Sequence, residues 1–345
     1  MIPEISMMVH ALFFAFAPGL IGALAAEVNV PVADYRQLNG WQENDNQFAL
    51  WTFLKTCSDM KPEDWRSLCA LAVNQKNPKL FLELFFRPVL ISNGTPGLIT
   101  GYFEPEIDGS RQPNSWFRYP VYKLPLNLPK NSSWFTRREI ENQGGLANRG
   151  LEIARVDEPV ELFFLQIQVF GRVGPPNGGV IRLGYGGFNG QRYKSIGTEL
   201  VRRGIYQKYQ VLALVIQNWV KRNMVACQKL LRHSSGFVFF RETSNFSAHD
   251  RPLGAMNRSI TALCSLAVDP KYVPLGAPVW LEKQGGTRMN CLMTAQNTGS
   301  AIKGAQWGAL FLGSGDTAGR VAGGFKDAGR MFVLMPIQRA YASAM

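Results

Sequence analysis

Cys291 to Gly324 reads CLMTAQNTGSAIKGAQWGALFLGSGDTAGRVAGG, and the fold turns on this stretch. It carries glycines at 299, 304, 308, 313, 315, 319, 323 and 324 and a single acid, Asp316. Glycine at that density breaks both the two-residue period of a strand and the 3.6-residue period of a helix. It marks turns, bulges or backbone pressed close to a ligand. On composition alone the simpler reading is a loop-rich β region without chemistry, so the flanking chain has to decide.

Around this stretch, short apolar runs alternate with glycine and proline: SLAVD (265–269), APVWLE (277–282), NCLMTAQ (290–296) and GRMFVLMP (329–336). Even spacing with turns between predicts a small closed barrel, not a parallel α/β sheet. Further upstream, strands are expected over 97–106, 117–123, 160–170, 180–185 and 236–242. The 160–170 and 180–185 runs are joined by GRVGPPNGG, a glycine–proline turn. Helical spacing is confined to a short piece at 136–141, to 197–204 and 207–223, and to three segments near the start, 47–56, 62–74 and 77–88. Pro62 with Glu63 and Asp64 suits a first helical turn, and Pro88 stops the third segment. The chain therefore reads as mainly β with an N-terminal helical region.

The 345 residues are 46% hydrophobic, enough for a large core, and carry a formal charge of +12. Such a charge points to an anionic partner: nucleic acid, an anionic membrane surface or an acidic polymer. From Met7 to Ala26 the chain is apolar without an acid, Lys or Arg, and Ala23-Leu24-Ala25 supplies a small-x-small cleavage site. That is the layout of a secretory signal over residues 1–26, which predicts export to the periplasm and argues against nucleic acid as a partner. No cysteine lies near the expected cleavage site, so a lipid anchor of the bacterial type is not expected, although the outer membrane is a surface the chain could meet. In an oxidising compartment Cys57 and Cys69, twelve residues apart across the Pro62 turn, are the natural disulfide, with a loop closure of roughly 2–3 kcal/mol. No C-x-x-C or H-x-x-x-H occurs among five cysteines and three histidines, so a His-based zinc site is not expected.

Six blocks in order carry a family resemblance: GYFEPEIDGSR (101–111), DEPVELFFLQIQVFGR (157–172), RLGYGGFNGQRYKSIG (182–197), FVFFRE (237–242), SLAVDPKYVPLGAPVWLE (265–282) and AQNTGSAIKG…LFLGSGDTAG (295–319). Together they resemble the membrane-bound lytic murein transglycosylase A family, over roughly residues 95–336. The resemblance implies a C-terminal double-psi β-barrel (246–345) with a second β-barrel-like domain inserted before it (93–245), after a helical region (27–92). It implies a glycan held in the groove between the two, so peptidoglycan strands are the expected partner, with a cell-wall enzyme complex as a further one. The implied reaction cleaves the β-1,4 bond from N-acetylmuramic acid to N-acetylglucosamine and leaves a 1,6-anhydro sugar, without metal or cofactor.

That reaction needs one carboxyl group. It protonates the leaving oxygen, the muramyl 6-hydroxyl attacks in place of water, and the same carboxylate then takes up the hydroxyl proton. An ordinary glycosidase requires a second carboxylate for the nucleophile or the water. The resemblance implies three barrel aspartates. The first matches Asp269; at the second this chain has Asn297, with Ser300 in place of a following glycine; at the third, the acid/base, it has Ala309. Val169-Phe170 likewise stands where the family tends to have Gly-Ser. General acid–base catalysis contributes about 10²–10⁴-fold, so losing the carboxyl at 309 leaves only binding and orientation there. The acids remaining to replace it are Asp269 and Asp316, the latter at an expected helix N-terminus. The alternative is a glycan-binding pseudoenzyme.

Residues suited to hold a glycan are Tyr102 and Glu104 on an aromatic strand and Arg111 after a turn, placed for a lactyl or peptide carboxylate. Gln166 and Gln168 would share one face of their expected strand, with Arg172 close by. Tyr185 and Asn189 lie in GYGGFNG, where backbone can approach a ligand. Asn297 and Lys303 complete the set in the glycine-rich stretch.

Overall fold

The computed structural model describes residues 30–342 apart from 45–46, 130–131, 143–145, 148, 176–178, 244–251, 287 and 300–301. The expected signal segment lies outside the described residues.

Three helices come first: α1 (Gln47–Cys57), α2 (Glu63–Ala72) and α3 (Pro78–Phe85). Pro62 sits at the N-cap of α2, ahead of Glu63 and Asp64, whose charges suit the positive end of the helix dipole. At α3 the Asn77 side chain accepts from Leu80 N at 3.0 Å and Pro78 opens the first turn. Cys57 and Cys69 form the expected disulfide between α1 and α2, with Cα atoms 5.6 Å apart. The helices are not a separate unit. Trp41, Phe53, Trp65, Phe81 and Phe86 are buried in one core with Trp280, Val279 and Leu334 of the sheet that follows.

The chain then runs through β1 (Phe86–Val89), β2 (Leu98–Glu104), β3 (Glu106–Ser110), β4 (Tyr119–Tyr122), α4 (Arg137–Asn142) and β5 (Glu152–Val156). Next come α5 (Pro159–Gln168), β6 (Gly171–Gly174), β7 (Ile181–Phe188), α6 (Ile196–Arg202), α7 (Ala213–Arg222), α8 (Met224–Leu231) and β8 (Val238–Glu242). The last elements are β9 (Ser265–Val268), β10 (Pro278–Lys283), β11 (Met289–Thr298), β12 (Trp307–Ser314), α9 (Gly315–Gly324), β13 (Lys326–Pro336) and α10 (Ile337–Ala342).

Two sheets result. The first has the order β1-β13-β10-β11-β9-β12-β2, and pairing of β13 with β2 closes six of its strands into a barrel. Two of its pairings are parallel, β9 with β11 and β2 with β12. The barrel thus takes in β2, with β1 added at the edge of its sheet, both upstream of residue 246, where the sequence-based boundary was expected. The reason is that β2 fills the gap between β12 and β13 that the C-terminal strands leave open. The second sheet, β4-β5-β3-β6-β7-β8, folds back on itself through a bridge from Lys123 to Phe240.

The expected strand over 160–170 is instead helix α5. Its residues Val160 and Leu162–Ile167 are all buried, including Gln166. A helix covered on all sides shows no apolar stripe, so its aromatic and β-branched content imitates a strand. Its end is held by Val169 in a left-handed conformation (φ 61°), a C-cap position that favours glycine.

The two sheets meet along a shared core in which Tyr102, Ala267, Ala309 and Phe311 of the barrel pack with Phe170, Val173 and Leu183 of the second sheet. Only Pro105 separates β2 of the barrel from β3 of the second sheet.

Candidate functional site

A row of paired residues crosses four barrel strands at this seam. Asn297 on β11 is opposite Ala267 on β9, Ala267 is opposite Ala309 on β12, and Ala309 is opposite Thr100 on β2. A β-bulge around Gln296 places Asn297 in that row, since an inserted residue re-aims the side chain that follows it. Asn297 and Ala309 are therefore two strand spacings apart, roughly 10 Å.

Asn297 is 4% exposed and fully engaged. Its Oδ1 accepts from Ala255 N at 3.1 Å and its Nδ2 donates to the Tyr102 hydroxyl at 3.2 Å. Burial holds the Tyr102 phenol protonated by pushing its pKa up. Tyr102 also packs against Phe311, its cross-strand partner, at 5.3 Å between centroids, and against Phe170 at 6.2 Å. Ala309 has no exposed surface and belongs to the same apolar cluster as these rings. The space beside position 309 is thus occupied by hydrocarbon and aromatic side chains.

Above this floor lies a narrow cleft between the sheets, lined by Phe170, Arg182, Tyr185, Arg241, Leu253 and Asn297. It encloses about 40 Å³, room for a few waters and not for a pyranose ring. Tyr185 is half-buried there, and desolvation pushes its hydroxyl up to about 12.

At the end of the β2–β12 pairing, Glu104 is fully buried opposite Ser314. Its Oε2 accepts from Ser314 Oγ at 2.6 Å and meets Arg172 Nε at 3.1 Å, while Oε1 lies 4.0 Å from Arg182 Nη1. Arg172 also pairs with Glu106. Burial raises the Glu104 pKa, opposed by the Ser314 hydrogen bond and the two guanidinium groups. This network ties the barrel, through Glu104 and Ser314, to strands β6 and β7 of the second sheet.

The other sequence candidates fall elsewhere. Asp269 is buried, with Oδ1 accepting from Lys271 N (3.1 Å) and Oδ2 from Gly304 N (2.9 Å), so both its oxygens order backbone. Asp316 lies in the first turn of α9 and lines two recesses outside the cleft, one beside Glu106 and Asp108 and one beside Phe103 and Lys221. Arg111 is paired with Glu242, with Nη1 to Oε2 at 2.9 Å. Gln166 accepts from the buried Arg137 inside the second domain, and Gln168, on the same helix, ends half-buried. Their shared strand face does not exist because α5 is a helix. Asn189 is 1% exposed and holds a turn, donating to Phe135 O and Ser235 O and accepting from Phe237 N. Lys303 is exposed in the loop before β12. Of the candidates, Tyr102, Glu104, Arg172, Tyr185 and Asn297 gather at the seam, with Ala309 beneath them. Sequence reasoning missed Arg241 and Arg182; the strand alternation of VFFRE was the available signal for the first.

The comparisons agree with this architecture. Residues 98–241 match the MltA specific insert domain and residues 264–335 match the 3D domain. Membrane-bound lytic murein transglycosylase A of Vibrio cholerae is 32% identical over 247 residues, which are 69% of this chain and 65% of that protein. The chain thus spans about two thirds, 65%, of the length of the curated relatives it matches first. Among solved structures, a membrane-bound lytic murein transglycosylase from Agrobacterium tumefaciens superposes with a TM-score of 0.80 at 28% identity, covering 91% of this chain and 99% of that one. The lytic transglycosylase LtgG of Burkholderia pseudomallei is 35% identical with a TM-score of 0.61, covering 95% and 99%. With both domain types matched in order and a barrel seam of the kind described above, the chain belongs to the MltA family of lytic murein transglycosylases.

Proposed function

We propose that this chain binds murein glycan strands along the cleft between its two sheets, on a lytic transglycosylase scaffold without the family's acid/base. The observation that carries the reading is Ala309: no carboxyl stands there, and the position is fully buried in the apolar cluster that holds Phe170, Phe311 and Tyr102. A strand lying along the mouth of the cleft meets Tyr185, Thr243 and Arg241. The basic charge of the chain suits an anionic polymer. The apolar N-terminal segment supports export, which puts the protein in the periplasm with the cell wall, the outer membrane and other wall enzymes as its neighbours. Among the described residues no helix is long and apolar enough to cross a membrane.

A second reading is the family's own reaction, cleavage to 1,6-anhydro-muropeptides with another carboxyl as the proton donor. The observation favouring it is Glu104, since a buried carboxyl with a raised pKa is what a general acid requires.

One experiment separates the two. The protein is incubated with murein sacculi, the pellet is assayed for bound protein, and the supernatant is analysed by mass spectrometry for 1,6-anhydro products. The first reading expects co-sedimentation without such products. Failure to co-sediment at low salt would overturn it. Anhydro products that disappear in Glu104→Gln would establish the second.

A further inference from the structure

The cleft carries a guanidinium that the seam does not consume. Arg182 faces Glu104, Arg172 joins Glu104 and Glu106, and Arg111 is held by Glu242. Arg241 lines the cleft, is exposed, and among the described residues has no ion-pair partner. It sits on β8 directly opposite Gly184 of β7. A Cβ placed on Gly184 would meet Thr243 Cγ2 at 3.3 Å and Arg241 Nε at 3.7 Å, so the arginine stem lies over bare backbone at the mouth of the cleft. Next to it, Tyr185 offers an aromatic face and a hydroxyl that stays protonated.

A planar guanidinium with parallel N–H groups matches a carboxylate in two-point contact, which neutral sugar hydroxyls cannot reproduce. The two sugars of murein differ in one respect of this kind. N-acetylmuramic acid bears a lactyl ether whose carboxyl is an anion when no peptide is attached and an amide when one is. Building on the glycan-binding reading above, we infer that Arg241 recognises the free lactyl carboxylate of a peptide-free muramyl residue, so that the cleft selects glycan stripped of its stem peptides. Carboxylates of the stem peptide share this chemistry. The lactyl group is favoured because Arg241 lies over the glycine backbone of the cleft, within reach of a group carried on the ring itself.

The test titrates the whole protein with three preparations: peptide-free glycan strands, the same strands with their carboxyls converted to amides, and strands that retain their peptides. Peptide-free strands are expected to bind about tenfold more tightly than the amidated ones, the size of one charge-assisted contact. Arg241→Gln should abolish that difference, and Arg241→Lys should keep part of it. Equal binding of free and amidated strands by the unaltered protein would overturn the inference and leave the glycan reading standing. Tighter binding of peptide-bearing strands, lost in Arg241→Gln, would move the contact to the stem and overturn the lactyl assignment. Binding of none of the three would remove the glycan reading and this inference with it.

Discussion

Asn297 donates its side-chain amide to the Tyr102 hydroxyl at 3.2 Å, linking β11 to β2, which are not neighbours in the sheet. Because Asn297 also accepts from Ala255 N, its truncation strands two buried polar groups. Asn297→Ala should therefore cost about 1–3 kcal/mol and Tyr102→Phe about 1 kcal/mol. Asn297→Asp should cost less than Asn297→Ala, because a tyrosine hydroxyl can turn from acceptor to donor and the carboxylate still accepts from Ala255. Urea unfolding midpoints of the three variants rank them directly; an aspartate worse than alanine would contradict the hydrogen-bond scheme.

Position 309 should behave in the opposite way. A carboxyl introduced there is fully buried among aromatic and aliphatic neighbours, so Ala309→Asp should lose about 2–4 kcal/mol and release no anhydro products from sacculi. Opening the floor as well, with Ala309→Asp in a Phe170→Ser background, should give detectable 1,6-anhydro products. Products from the single variant would show that Phe170 does not block the row.

Glu104 makes stability depend on pH in a defined direction. Its folded pKa is raised, so the folded state holds the proton more tightly than the unfolded chain. The associated stability is complete below the ordinary glutamate value of about 4.3 and is lost as pH rises from there through the folded value. Glu104→Gln removes that titration. Across the weakly acidic range, the stability of the unaltered protein relative to Glu104→Gln should fall with increasing pH, measured as unfolding midpoints in a pH series. A difference that grows with pH would mean the arginines outweigh burial.

The Cys57–Cys69 bond closes a short loop between α1 and α2, whose residues share the core of the barrel. Reduction, or the double change Cys57→Ala and Cys69→Ala, should lower stability by about 2–3 kcal/mol without altering glycan binding. Thermal melting with and without a thiol reductant, alongside co-sedimentation with sacculi, gives both readouts.

The barrel strands were legible because they are short, evenly spaced and punctuated by glycine and proline, and the disulfide because only a turn separates its cysteines. Helix α5 was not, since all of VELFFLQIQ but Glu161 and Gln168 is buried and Pro159, its N-terminal signal, is one residue among many apolar ones. The placement of Gln166 and Gln168 failed with it. Arg111 looked free because its partner Glu242 is 131 residues away in the chain. Asn189 looked like a ligand-binding asparagine in a glycine loop, but its three turn carbonyl and amide partners are tertiary. The replacement of an acid by Ala309 could be read from sequence; its complete burial in the cluster that holds Phe170 required the fold.

The Glu104–Arg172–Arg182 network also sets how the two halves can part. Drawing one sheet away from the other separates Glu104 from Arg172 and Arg182 and leaves buried charged groups without their partners. Small excursions are therefore steeply resisted, and only a separation wide enough to hydrate all three charges becomes tolerable. The seam accordingly couples the two sheets through buried charge as well as through the apolar core they share.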